Sequence, residues 1–110
     1  MRILLDQGRP VAIRDALQNH SVQTANALGW STLTNGELLR IAEQAGFEVL
    51  LTTDTSLPHQ QNLRGRKLAV VILTKNRWVL IEPRMKQIVA AVNSAKPGTY
   101  SVVDIPGASK

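Results

Sequence analysis

The chain contains no cysteine. That single absence removes a disulfide framework, a zinc ribbon, a thiol nucleophile and an iron–sulfur centre together. It also has no apolar run approaching the ~20 residues that a bilayer span requires. The first residues, Met1-Arg2-Ile3-Leu4-Leu5-Asp6, meet a charge after three apolar positions, far short of a signal peptide's apolar region. The two histidines, His20 and His59, lack metal-like spacing. No internal repeat, linker or low-complexity stretch breaks the chain, so residues 1–110 are read as one unit. These absences predict a cytoplasmic protein with no membrane partner.

What is present fits one small globular domain. The 110 residues are 44% hydrophobic and 19% charged, enough for one core and not for two. Thirteen Lys and Arg against eight Asp and Glu give a net charge of +5, with a pI near 10.3. That balance favours a polyanionic partner, nucleic acid first, or an acidic protein.

Short apolar runs alternate with helical patterns, which predicts β-α-β units and a parallel sheet. Strands are expected at Ile3 to Leu5, Val22 to Ala25, Val49 to Thr52, Leu68 to Leu73 and Tyr100 to Ile105. The fourth is continuously apolar, as in a strand buried on both faces. A helix opening at Pro10 would turn Ile13, Ala16 and Leu17 inward. The next is the best marked: Thr34 as N-cap, Glu37 three residues on, then Leu38, Ile41, Ala42 and Ala45 at helical period, and Gly46 as the stop. Pro58 to Asn62 allows at most one turn. Pro83 is expected to open the last helix, with Met85, Ile88, Val89 and Val92 inward. The gaps between strands suit right-handed crossovers, which predicts a three-layer α/β domain with a five-stranded parallel sheet in order 2-1-3-4-5.

In that order the first and third strands are neighbours at the switch point, where ligands of open parallel sheets bind beyond the carboxyl ends. Asp6 and Asp54 fall there, about 5 Å of sheet spacing apart. Two such carboxylates repel unless a metal, a shared proton or a cationic side chain lies between them. The helix near Thr34 starts at the same edge, so Glu37 could complete a three-carboxylate cluster. Oxygen-only ligands suit Mg²⁺ or Mn²⁺. The competing structural reading is that strand-end aspartates cap turns, and that Thr34-x-x-Glu37 is a capping box needing no metal. Asp104 lies two strands from Asp54 and is excluded from the cluster. Gln7, Asn35, Thr52 and Thr53 are expected to hydrogen-bond and orient the carboxylates. Arg9, Lys75 and Arg77 follow carboxyl ends of strands and could offset the charge of an approaching phosphate. Arg64, Arg66 and Lys67 fall on the far edge, where a solvated basic turn is the simpler reading. Trp30 and Trp78 are expected to pack rather than stack on bases.

These residues carry a resemblance. Met1 to Asp6 with Pro10, Leu28-Gly29-Trp30, Asn35-Gly36-Glu37-Leu38-Leu39, Leu51-Thr52-Thr53-Asp54 and Leu57-Pro58-His59-Gln60-Gln61-Asn62-Leu63 together resemble the compact PIN-like family, over about the first two thirds of the chain. The resemblance implies a PIN-like fold and, by kinship with VapC-type toxins, a metal-dependent ribonuclease using Mg²⁺ or Mn²⁺. The family's acidic positions fall on Asp6, Glu37 and Asp54, which would be both metal ligands and catalytic residues. The partners to expect are RNA, a small antitoxin protein and a second copy of the chain. The chain departs from the pattern in lacking a fourth acidic residue and in carrying Gly8 where Asn is common. That departure sustains an alternative, a degenerate PIN-like module that binds RNA or a protein without cleaving. A phosphorelay receiver also wants an Asp after the third strand with Pro four residues on, as in Asp54 and Pro58, and Thr74 fits. It wants paired acids where Asp6 precedes Gln7, and a Lys-Pro after the fifth strand, whereas Lys96-Pro97 precedes it.

Overall fold

A computed structural model describes residues 1–6, 13, 17, 20–75 and 77–106. Five short strands form one all-parallel sheet: β1 (Arg2–Leu5), β2 (Ser21–Thr24), β3 (Val49–Thr52), β4 (Ala69–Leu73) and β5 (Tyr100–Val103). Their order is β2-β1-β3-β4-β5, with β1 and β3 adjacent at the centre, as the spacing predicts. Between them come helix α1 (Asn35–Gln44) and the single turn α2 (Leu57–Gln60), and then α3 (Trp78–Ile81), a 3₁₀ turn over Glu82–Arg84 and helix α4 (Met85–Asn93).

Side chains alternate across a strand, so each central strand feeds two cores. Ile3 and Leu5 of β1, Val49 and Leu51 of β3, and Val71 and Leu73 of β4 pack with Ile88 and Val92 of α4. On the other face Leu4, Leu50, Val70 and Ile72 pack with Leu38, Leu39 and Ala42 of α1 and with Leu57 of α2. All of β3 and β4 is buried, which is why β4 reads as an unbroken apolar run and β3 as one broken only by Thr52. Fully burying each such Leu, Ile or Val contributes about 1.5–3 kcal/mol. Ile13 and Leu17, expected inward on the first helix, are buried in the α4 layer. The rest of that expected helix, Ala16 included, lies outside the described residues.

Helix α1 starts and stops for the reasons its sequence states. Its C-cap is Ala45, and Gly46 follows with φ +90°. The Gly46 N–H donates to the Glu43 carbonyl at 3.1 Å and the Phe47 N–H to the Ala42 carbonyl at 3.0 Å, the paired bonds of a Schellman ending. Only glycine takes that φ without strain. Ala45 is exposed rather than inward, and Leu39 takes the buried place, because the helix ends before Ala45 can turn back to the sheet.

The last helical segment departs from expectation. Winding begins at Trp78, five residues before Pro83, after an extended Arg77 (φ −97°, ψ 128°). Pro83 then sits early in the 3₁₀ turn, where its missing N–H is not needed. Apolar Trp78, Leu80 and Ile81 pack against the α4-side core and hold this turn in place. Strand β5 closes at Val103, short of Ile105, whose N–H donates to the Thr74 hydroxyl at 2.7 Å instead of to a strand. Among the described residues no helix is long and apolar enough to cross a membrane.

Candidate functional site

The carboxyl ends of β1 and β3 carry Asp6 and Asp54, and Thr52 joins them. Period two places Thr52 on the same face as Leu50, toward α1, in register with Ile72. It is the one polar residue wholly buried among the described residues. Its hydroxyl donates to Asp6 Oδ2 at 2.8 Å and accepts from the Asp54 N–H at 3.1 Å. One buried side chain therefore fixes the carboxylate of one aspartate and the backbone of the other. Asp6 is further tied to β3 by its own N–H, which donates to the Leu51 carbonyl at 2.9 Å.

The Asp54 carboxylate is held from two sides. Asn35 at the start of α1 donates Nδ2 to Oδ2 at 2.7 Å, and Ser56 donates its N–H at 3.0 Å and its hydroxyl at 2.6 Å to Oδ1. The Ser56 hydroxyl, with Asn35 and the Ser56 N–H, lowers the Asp54 pKa below the ordinary 3.8, outweighing partial burial that raises it. Asp54 is thus an anion at neutral pH. With two oxygens and about four lone-pair directions, a carboxylate carrying three hydrogen bonds keeps room for one more partner.

Glu37 is committed locally. Its Oε1 accepts from the Thr34 N–H at 3.0 Å and the Thr34 hydroxyl at 3.1 Å, while the Glu37 N–H donates to that hydroxyl at 3.3 Å. The capping box is complete. The Thr34 N–H, then its hydroxyl, lower the Glu37 pKa, assisted by Arg40 and opposed by slight desolvation. Among the described residues no group of three or more His, Cys, Asp or Glu stands close enough to hold a metal ion. Asp6 and Asp54 are joined through Thr52, while Glu37 sits in its own helix cap. Replacing Thr34 by Ala is expected to cost about 1 kcal/mol of stability, measured by urea denaturation. Glu37→Gln should cost only a few tenths, because Gln also accepts from the N-cap amide.

Thr53 is half-buried just past β3. Lys75 is half-buried and Arg77 exposed, both beyond the carboxyl end of β4. Gln7 and Arg9 lie outside the described residues. At the opposite edge, Arg66 pairs with Glu43 in the last turn of α1 at 3.1 Å, and the Lys67 N–H also donates to Glu43. That part of the basic turn thus ties α1 to β4. Trp30 meets Phe47 edge-on, with ring centroids 6.0 Å apart, and both tryptophans pack against the core. Ser56 is not among the expected residues. Its signal is the Asp-x-Ser spacing of a side-chain-closed turn.

Comparison with protein-family models, with curated proteins and with solved structures finds no match to this chain.

Proposed function

We propose that this chain is a metal-dependent ribonuclease of the PIN-like type, acting as the toxin of a toxin–antitoxin pair, with its centre at Asp6 and Asp54. The observation that carries the reading is one buried hydroxyl, Thr52, that ties the Asp6 carboxylate to the backbone of Asp54 at the switch point of a parallel sheet. The donor set is oxygen only and includes an aspartate held ionised. It suits a hard cation that keeps several waters and takes one or two carboxylates. Mg²⁺ or Mn²⁺ held by Asp6 and Asp54 would supply an activated water and stabilise charge on the leaving oxygen. Asn35 and Ser56 keep the Asp54 carboxylate oriented, and Thr52 does the same for Asp6. Lys75 and Arg77, with Arg9, offset the charge of a phosphate approaching this acidic edge, in line with the net charge of +5. The resemblance to VapC-type toxins carries the antitoxin partner.

The test is incubation of the purified protein with mixed-sequence RNA in Mg²⁺ or Mn²⁺. Cleavage that EDTA abolishes is the expected result, and intact RNA in both metals sinks the reading. A second reading is favoured by one observation, the engagement of Glu37 in its cap: a non-cleaving module that binds RNA through the same edge. It predicts salt-sensitive RNA binding without cleavage. In either case, Lys75→Ala with Arg77→Ala should weaken RNA binding more than Arg64→Ala with Lys67→Ala. Equal losses in a filter-binding assay refute the edge assignment.

A further inference from the structure

The two edges of the sheet differ. At the β2 edge Val22, Gln23 and Thr24 are half-buried, and the Gln23 side-chain oxygen accepts from Arg2 Nη2 at 3.4 Å. At the β5 edge Tyr100, Ser101 and Val102 are all exposed, with Tyr100 and Val102 each 51% accessible. Their register partners on β4, Val70 and Ile72, are buried. Tyr100 and Val102 therefore extend the apolar face that α1 and α2 cover further in, beyond the reach of that cover.

The backbone at this edge is open in a defined pattern. The Thr99 carbonyl accepts from the Val70 N–H at 3.0 Å, and the Val103 carbonyl from the Thr74 N–H at 3.3 Å. In a parallel ladder successive residues face alternate sides, so Ser101 also faces β4, and Tyr100 and Val102 turn their N–H and C=O groups outward. Among the described residues no strand lies beyond them. No charge interrupts the strand, the device by which edges commonly refuse partners. Lys96 precedes it and Asp104 follows it, both exposed.

We propose that the outer edge of β5 docks β5 of a second copy of this chain, the strands antiparallel about a twofold axis at Ser101. This register sets Tyr100 opposite Val102 of the second copy, and Val102 opposite its Tyr100. Outward-facing residues then meet outward-facing residues, so each such pair exchanges both backbone hydrogen bonds. On the apolar face the same pairs are aromatic against β-branched, a favourable cross-strand match made twice by symmetry. Antiparallel approach also sets the Lys96 end of one strand toward the Asp104 end of the other, so the ends carry unlike rather than like charge, although the Asp104 carboxylate also accepts from the Thr74 hydroxyl at 3.2 Å. The sheet becomes continuous across the dimer, and the carboxyl-edge site of each copy stays open.

The experiment is sedimentation velocity on the full chain over a wide concentration range, with three variants. The wild type is expected at twice the 12.1 kDa chain mass. Val102→Lys should raise the dimer dissociation constant about tenfold or more; at concentrations where both chains are monomeric its melting temperature should match the wild type, since the side chain it replaces is half-exposed. The chain has no cysteine of its own, so Ser101→Cys introduces one thiol per copy, facing its symmetry mate. The Cα separation of a non-hydrogen-bonded antiparallel pair is about 4.5 Å, within disulfide range, and oxidation should cross-link it rapidly. Tyr100→Cys lies two positions out of register with itself and should cross-link much more slowly, whether or not Val102→Lys folds. A monomer at every concentration overturns the proposal, as does a dimer that Val102→Lys leaves intact, or equal cross-linking of the two cysteine variants. Dimerisation seen only after deletion of residues 107–110 would assign the edge to that segment instead, and capture of another protein's strand by a monomeric chain would assign it there.

Discussion

Asp6→Asn and Asp54→Asn are each expected to lower metal-dependent RNA cleavage by about 100-fold or more. Groups that merely orient metal ligands are worth 10–100-fold when removed, so losing a ligand charge should reach at least the upper end. The substitution keeps shape. In Asp6→Asn the new amide still accepts from the Thr52 hydroxyl through its carbonyl oxygen, and in Asp54→Asn the Asn35 amide can turn to pair with the one introduced. A second readout does not depend on turnover. Mg²⁺ or Mn²⁺ should raise the melting temperature of the wild type, because a cation between the two carboxylates binds the folded chain only, and the rise should vanish in both variants. Acid titration adds a third. The folded-state pKa of Asp54 is lowered by Ser56 and Asn35, so its contribution is present above the unfolded value. It is lost as the pH falls through the folded one. The stability gap between wild type and Asp54→Asn should therefore close on acidification below about pH 4. A metal-induced shift that survives in Asp54→Asn refutes the ligand role.

Thr52→Val is expected to cost about 1–3 kcal/mol, the penalty for leaving a buried hydrogen-bonding group without its partner. Valine matches threonine in shape, so packing is unchanged. What disappears is the donor to Asp6 Oδ2 and the acceptor of the Asp54 N–H. Thr52→Ser keeps both bonds and loses one methyl, a cost nearer ~0.8 kcal/mol. The two variants separate structure from site. Both are destabilised in urea, but only Thr52→Val should lose the metal-induced rise in melting temperature. Equal retention of that rise in Thr52→Val and Thr52→Ser would show that the hydroxyl does not position the Asp6 carboxylate and the Asp54 backbone.

Much of this architecture is legible because the local signals agree. Val49 to Leu51 and the run ending at Leu73 are apolar at every position, which only strands buried on both faces require, and both lie in the interior of the sheet. Thr34, Glu37 and Gly46 announce the ends of α1 through groups that satisfy one another within a few residues. Strand order then brings Asp6 beside the end of β3. The sequence is least decisive where two local chemistries compete. Glu37 could face a metal or its own N-cap, and helix position alone does not choose between them; the nearby Thr34 donors do. Pro83 is a fair helix-start signal, but the apolar Trp78, Leu80 and Ile81 gain burial by winding earlier. Ser56 is invisible to an argument about sheet edges, since it reaches Asp54 from two residues away along the loop.

The central place of β1 has a kinetic consequence. It precedes both of its partners in the chain, yet Arg2 must wait for Ser21, and Ile3 for Val49. The remaining pairings, Val49 with Ala69 and Val70 with Tyr100, are no more local. Every sheet contact thus closes a loop of roughly twenty to fifty residues, and such loops must be closed before their contacts repay the lost chain entropy. Folding is then slow for a chain of this size, as high contact order dictates. The bond from Thr52 to Asp6 cannot form until β1 and β3 have met. The carboxylate pair therefore depends on the widest loop closure among the sheet pairings, and an unfinished chain that has made β1 but not β3 carries Asp6 without its mate.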